Sequence, residues 1–307
     1  MDFPASEDLT HRRRMPRRKL KIPIILFILT CLSTFWVGIY DWQPPSNPMQ
    51  LSFRQMLLQN WDQGLWYMAC LLLILLLHEF GHFFMTVYYR VPATVPIFLP
   101  FPLNPVGTLG AVIGMEGTLA NRKQIFDIGI AGPLAGLVAA VPLAYIGVNC
   151  LDLSEPPRGG IGFRLPLLMQ WMVASANVQG YQVSDPIVWI NQLNPFFAAA
   201  WVGFLITGLN MMPVGQLDGG HVSYTLFGRN VSSRIAEATV ILAIAFMVYV
   251  QQLVLVVMVL LILLIGTTHP PTADDTVSIG PWRWAVGLGS LAIPVLCFPP
   301  MVFKLVF

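Results

Sequence analysis

The sequence predicts an all-α polytopic membrane protein with about six transmembrane helices and a small re-entrant β element. Three observations carry this. Of 307 residues, 56% are hydrophobic and 10% charged, where soluble domains carry about 25% charged residues. Six stretches lack Asp, Glu, Lys and Arg altogether: 22–40, 63–77, 128–151, 186–217, 238–268 and 284–303. Third, the stretch 91–125 is apolar yet broken by prolines.

A helix needs about 20 mostly apolar residues to cross the hydrocarbon. The charge-free runs therefore give spans at 22–40, 63–89, 126–149, 196–213, 236–265 and 284–304. Six such runs in one chain exclude a soluble core. The first follows a basic stretch, HRRRMPRRKLK, that resembles the start of a signal peptide. Its apolar run is 19 residues long, and Asp41-Trp42-Gln43-Pro44 offers no small-residue cleavage site. It reads as an uncleaved anchor.

Residues 1–21 form a basic cytoplasmic tail, 22–62 the first span with an outside loop, 63–225 a catalytic transmembrane core, and 226–307 the C-terminal spans. With the N-terminus inside and the spans alternating, the inside segments hold thirteen basic residues. These are the seven from Arg12 to Lys21 together with Arg90, Arg122, Lys123, Arg229, Arg234 and Lys304. The outside segments hold four: Arg54, Arg158, Arg164 and Arg283. The positive-inside bias thus puts both termini in the cytoplasm. It is a membrane-orientation signal, and no nucleic-acid partner follows from it.

Segment 91–125 cannot be a straight spanning helix, because its five prolines remove backbone donors and clash with preceding turns. Residues 107–117 have the glycine and β-branched texture of short strands. A re-entrant sheet is tolerated at membrane depth only where protein or a wet cavity satisfies its backbone. The outside loop 150–195 is about half the length that a PDZ-type domain needs, so none is expected. Cys31, Cys70, Cys150 and Cys297 have no ligand spacing and are assigned neither a disulfide nor a metal.

The chemistry centres on His78-Glu79-Phe80-Gly81-His82, an HExxH motif that follows seven apolar residues directly. On a helix, positions i and i+4 lie about 40° apart, so both imidazoles face one metal. Glu79 turns about 100° away, toward a water rather than into a closed site. Ionisable groups at membrane depth are costly and mark function. A catalytic zinc takes three protein ligands and keeps one position open. Asp218, after a charge-free run of 32 residues, falls at the depth of His82 in the alternating topology. Asp218-Gly219-Gly220 also reads as turn chemistry.

An HExxH in one span with NxxPxxxLDG in a later one, here Asn210 to Gly219, resembles the site-2 protease family of intramembrane zinc metallopeptidases. The likeness covers roughly residues 63–225. It implies one zinc per chain on His78, His82 and Asp218, with Glu79 activating the attacking water. It also implies that Asn210 helps hold the substrate or its oxyanion. Gly129 to Gly136, GIAGPLAG, resembles the family's small-residue span, and GTLGAVIG at 107–114 its β structure beside the site.

The implied reaction is hydrolysis of a peptide bond in or beside a substrate's transmembrane helix, in regulated proteolysis. The partners are that membrane protein and the bilayer. Residues 107–117 would hold the unwound substrate by strand addition. Two alternatives stand beside this. One is a membrane metal transporter or sensor using the same ligands. The other is an HExxH membrane protease acting on non-transmembrane peptides. His221 is expected near the site but not as a fourth ligand, because Gly219-Gly220 breaks helical register and a closed site would be structural. His11, in the tail, and His269, in an outside loop, receive no catalytic role.

Overall fold

The structure is a computed structural model that describes residues 20–40, 52–154, 160–250, 260, 266–299 and 303–306. Most of the basic tail, the loop 41–51, Arg158 and much of 251–265 lie outside the described residues.

Among the described residues, four helices are long and apolar enough to cross a membrane: α1 (Lys21–Tyr40), α2 (Phe53–Tyr89), α3 (Arg122–Asn149) and α7 (Arg229–Val250). A shorter apolar helix, α5 (Pro195–Asn210), lies in the core. Capping fixes several starts. Ser52–Gln55 and Asn121–Gln124 form reciprocal capping boxes for α2 and α3. Asn194 caps α5, and its Nδ2 donates to the Gly147 carbonyl on α3.

Small residues let these helices approach. A Cβ on Gly38 of α1 would stand 2.8 Å from the Gly64 Cα of α2. This is the close contact by which helices associate where apolar side chains gain nothing over lipid.

The proline-broken segment forms an antiparallel hairpin, β1 (Ile97–Phe101) and β2 (Gly107–Val112), as its composition predicts. Its turn sits beside the middle of α1 and α2. Ser33 Oγ donates to the Gly107 carbonyl at 2.5 Å, and Tyr67 OH to the Val106 carbonyl at 2.9 Å. Gly107, at φ +86°, lies so near α1 that a Cβ would fall 2.8 Å from Thr34 Cα.

The connection from α3 to α5 holds β3 (Gly160–Arg164), α4 (Leu167–Ser175) and β4 (Ile187–Trp189). Beyond α5 come α6 (Asp218–Phe227) and α7, then α8 (Gly280–Ser290), α9 (Ile293–Cys297) and β5 (Phe303–Val306).

Three sequence expectations change here. Over 284–304 the chain is no continuous span. Helix α8 stops at Ser290, whose Oγ turns back to the Gly287 carbonyl, and α9 restarts with Pro294 in its first turn. Strand β5 then pairs with β3, Gly162 opposite Lys304. Lys304 therefore shares a side with Arg164, not with the HEFGH end.

The reverse holds for Arg283. It was expected outside, yet it binds Asp127 at the start of α3 through Nε–Oδ1 at 2.7 Å and Nη2–Oδ2 at 2.8 Å. Finally, the loop after 236–265, expected outside, lies elsewhere, and of that expected span residues 251–259 and 261–265 lie outside the described residues. Gly266 lies against Gly215, and the Ala273 N–H donates to the Ala120 carbonyl. Residues 266–279 are thus back at the end where α7 begins.

Candidate metal centre

Helix α2 brings His78 and His82 to one face, a turn apart, as the motif predicts. Helix α6 presents Asp218 in its first turn. His78 Nε2 lies 3.2 Å from His82 Nε2 and 3.2 Å from Asp218 Oδ2, and His82 Nε2 lies 3.3 Å from Asp218 Oδ1.

These separations test whether a metal fits. Ligands about 2.0–2.1 Å from a tetrahedral zinc stand about 3.3 Å apart; the two Nε2 atoms have that spacing from each other, and each has it from one oxygen of the Asp218 carboxylate, Oδ2 for His78 and Oδ1 for His82. His82 Nδ1 donates to the Ile128 carbonyl at 2.7 Å, so in the neutral ring, the form that binds a metal, Nε2 keeps a lone pair. In that form its approach to the Asp218 carboxylate sets acceptor against acceptor, an arrangement that a metal cation held between them satisfies. Among the described residues this is the only such cluster of His, Cys, Asp and Glu.

Helix α3 makes room for the rings. A Cβ on Gly132 would fall 2.0 Å from His82 Nε2, and one on Gly136 would fall 3.2 Å from His78 Nδ1. One on Gly129 would fall 2.8 Å from His221 Cβ. The small-residue run GIAGPLAG is thus a groove that seats three imidazoles, a more specific task than helix packing alone.

Asn210 ends α5 with Nδ2 3.4 Å from His78 Nε2. Glu79, His221, Gln216 and residues 111–113 of the hairpin line the same cavity of about 280 Å³. All five residues singled out for the site, His78, Glu79, His82, Asn210 and Asp218, therefore meet.

The expected break at Gly219-Gly220 does not occur. Helix α6 runs through both glycines, with the His221 N–H donating to the Leu217 carbonyl at 2.9 Å. The glycines serve close approach: a Cβ on Gly219 would lie 2.0 Å from the Met211 carbonyl oxygen, and one on Gly220 2.3 Å from that of Gly215. Tertiary packing outweighs the roughly 1 kcal/mol that a helical glycine costs.

His269 is the residue that sequence reasoning missed. Its Nε2 lies 2.6 Å from His221 Nδ1, and its ring stacks on Tyr224 at 4.1 Å between centroids. Only its neighbours Pro270-Pro271 marked it in the sequence, and they do not point to a site.

A buried HExxH helix, completed by an aspartate from a second helix inside a bundle of membrane-length helices, is the architecture of a membrane metallopeptidase. The chain belongs to peptidase family M50, whose model matches residues 66–250. It is 29% identical over 299 residues to the protein named probable zinc metalloprotease EGY1, chloroplastic, of Oryza sativa subsp. japonica, covering 91% of this chain and 50% of that one. The Arabidopsis thaliana EGY1 protein is 28% identical over 296 residues, covering 91% and 53%. The Arabidopsis protein named probable zinc metalloprotease EGY2, chloroplastic, is 30% identical over 181 residues, covering 55% and 30%. The chain spans about half the length of the two EGY1 proteins and less than a third of the EGY2 protein.

Proposed function

We infer that this chain is an intramembrane zinc endopeptidase that hydrolyses a peptide bond within or beside a transmembrane segment of a membrane-protein substrate, in regulated proteolysis. The observation that carries the reading is the approach of His78 Nε2, His82 Nε2 and the Asp218 carboxylate to within 3.2–3.3 Å of one another, with Glu79 and Asn210 on the same cavity.

His78, His82 and Asp218 would hold one zinc, which when bound supplies Lewis acidity. Glu79 takes a proton from the attacking water and delivers it to the leaving amine as the C–N bond breaks. The Asn210 amide donates to the carbonyl oxygen as charge develops there. Strand β2 has one partner, β1, so its other edge is free among the described residues, and residues 111–113 reach the cavity. An unwound substrate segment adds to that edge and receives backbone partners it would otherwise lose in the bilayer.

The cytoplasm faces the metal end of the bundle in this reading. Exchanging Arg283 and Lys304 between sides leaves the basic balance at thirteen to four. Cysteine labelling in intact cells should find positions 122 and 274 on the cytoplasmic side and 164 on the other.

The deciding experiment compares wild type with Glu79→Gln, measuring zinc and cleavage of a reconstituted single-span protein on one preparation. Glu79→Gln should keep its zinc and lose about 10²- to 10⁴-fold in rate. Near-normal cleavage by the zinc-loaded variant would remove Glu79 from the mechanism. Wild-type protein that holds zinc but cleaves nothing would favour the transporter or sensor.

A further inference from the structure

A second pair of histidines adjoins the cavity, and its hydrogen bonds fix where its protons sit. His269 Nδ1 lies 2.5 Å from the Pro270 carbonyl oxygen. A carbonyl only accepts, so this nitrogen carries the hydrogen. In the neutral ring, Nε2 then bears a lone pair. Burial keeps His269 below the ordinary histidine value and so neutral near pH 7. His221 Nδ1, 2.6 Å from that lone pair, is therefore the donor. One hydrogen remains for each neutral ring, so His221 Nε2 has none.

Nε2 is thus the ring nitrogen of His221 that the pairing with His269 leaves unused. His221 lines the cavity together with His78, Glu79, His82 and Asp218, whereas His269 does not reach it. Because α6 is continuous, His221 stands one turn after Asp218 on a related face. Gly129 lets the ring lie against α3.

The segment carrying His269 is held as a strap over α6. Arg122 donates to the Thr225 and Leu226 carbonyls at the end of α6, and its own N–H donates to the Asp274 carbonyl. Tyr224 OH donates to Asp275 at 2.8 Å.

We propose that the strap 266–279 sets the tautomer of His221, through His269, so that His221 Nε2 accepts a hydrogen bond from the attacking water. The water has two O–H groups. Glu79 takes the proton of one, and His221 Nε2 holds the other, turning the oxygen lone pair toward the scissile carbon. His221 is then a catalytic residue and His269 a positioning residue. The assignment rests on the peptidase reading above and adds to it a part supplied from beyond the residues the family model matches.

The test uses the full, zinc-loaded chain in detergent with four variants. His221→Asn keeps a donor near the Nδ1 position and places nothing at Nε2. His221→Gln does the opposite. His269→Gln keeps an acceptor for His221, and His269→Ala removes it. ¹⁵N shifts of labelled histidine report the tautomer, and zinc content and thermal unfolding are read on the same samples.

Wild type should show His221 protonated at Nδ1, and His269→Ala should lose that preference. In cleavage of a single-span model protein, His221→Asn should lower kcat about 10- to 100-fold with KM within about twofold. His221→Gln should retain more activity than His221→Asn, and His269→Gln should recover much of what His269→Ala loses. His221 protonated at Nε2 in wild type would overturn the proposal. So would a His221→Asn protein with wild-type kcat, whatever its melting temperature. Wild-type protein that fails to cleave at all would sink the peptidase reading instead, and the ¹⁵N result would still decide the tautomer.

Discussion

His78 and His82 stand one turn apart on a single helix, whereas His221 and His269 come from a helix and a loop 48 residues apart. The first pair and His221 share the glycine groove of α3, with Gly136 and Gly132 beneath the first pair and Gly129 beneath His221. The first pair leaves its Nε2 atoms facing each other and Asp218, an arrangement that a cation completes. The second pair satisfies its Nδ1 atoms without any ion. Local helical geometry thus builds the metal-holding set, and long-range packing builds the set beside it.

Removing ligands tests that division most severely. His78→Ala, His82→Ala and Asp218→Ala should each bring bound zinc from about one per chain to a small fraction of that. His221→Ala and His269→Ala should retain it. Elemental analysis of purified protein reads the difference. Zinc lost equally from all five variants would erase the distinction between the pairs.

A subtler break comes from the groove. In Gly132→Ala the new Cβ would occupy the position of the His82 Nε2 neighbourhood, 2.0 Å away and far inside van der Waals contact. The ring must leave or the helices must part, so zinc should be lost nearly as in His82→Ala. Gly136→Ala brings a Cβ to 3.2 Å of His78, a contact that a few tenths of an ångström relieves. Its zinc affinity should fall by about tenfold or less. The two variants differ by one methyl each, so equal zinc contents would show that the groove does not seat the rings as described.

The contrast also explains what could be read from the sequence. His78, Glu79 and His82 were legible because the spacing is helical and the preceding run is free of charge. Asp218 was legible because basic residues set the depth at which α5 ends, and the hairpin because prolines exclude a straight helix there. The C-terminal third was not legible in the same way. In a lipid-exposed chain, apolar composition is satisfied by a continuous span or a broken helix alike. Packing decides among them, as where Gly287 admits Phe126 and Leu226 and where β5 finds β3. Gly219-Gly220 misled for a related reason. Intrinsic propensity argues for a break, but the backbone carbonyls of Met211 and Gly215 require glycine inside a helix. His269 carries no local signal, because its partners are brought to it by the strap.

Outside both pairs, Arg283 ties α8 to the start of α3 by a two-pronged bond to Asp127, which also accepts from Tyr89 OH at 2.5 Å. Arg283→Met removes one partner and leaves a half-buried carboxylate with only Tyr89. Because the pair keeps some exposure, the cost should lie at or below about 3 kcal/mol, the lower end for a broken buried pair. Thermal unfolding in detergent measures it. Zinc content should not change, since Asp127 touches neither histidine pair.

The smallest expected effect is the most selective test of the strap. Tyr224 holds it twice, by stacking on His269 and by donating to Asp275, which also accepts from Thr272 at 2.7 Å. Tyr224→Phe keeps the ring and deletes only the hydroxyl. A hydrogen bond to a charged group contributes about 1.5–3 kcal/mol, and Asp275 keeps Thr272, so the loss should sit near or below the bottom of that range. If the strap acts on the site only through the His269–His221 hydrogen bond, Tyr224→Phe should keep zinc and the His221 tautomer, and its cleavage rate should stay well above that of His269→Ala. Melting temperature, zinc and ¹⁵N shifts separate these effects. A Tyr224→Phe protein as slow as His269→Ala, with the His221 tautomer intact, would show that the strap works by clamping α6 as a whole rather than by setting one proton.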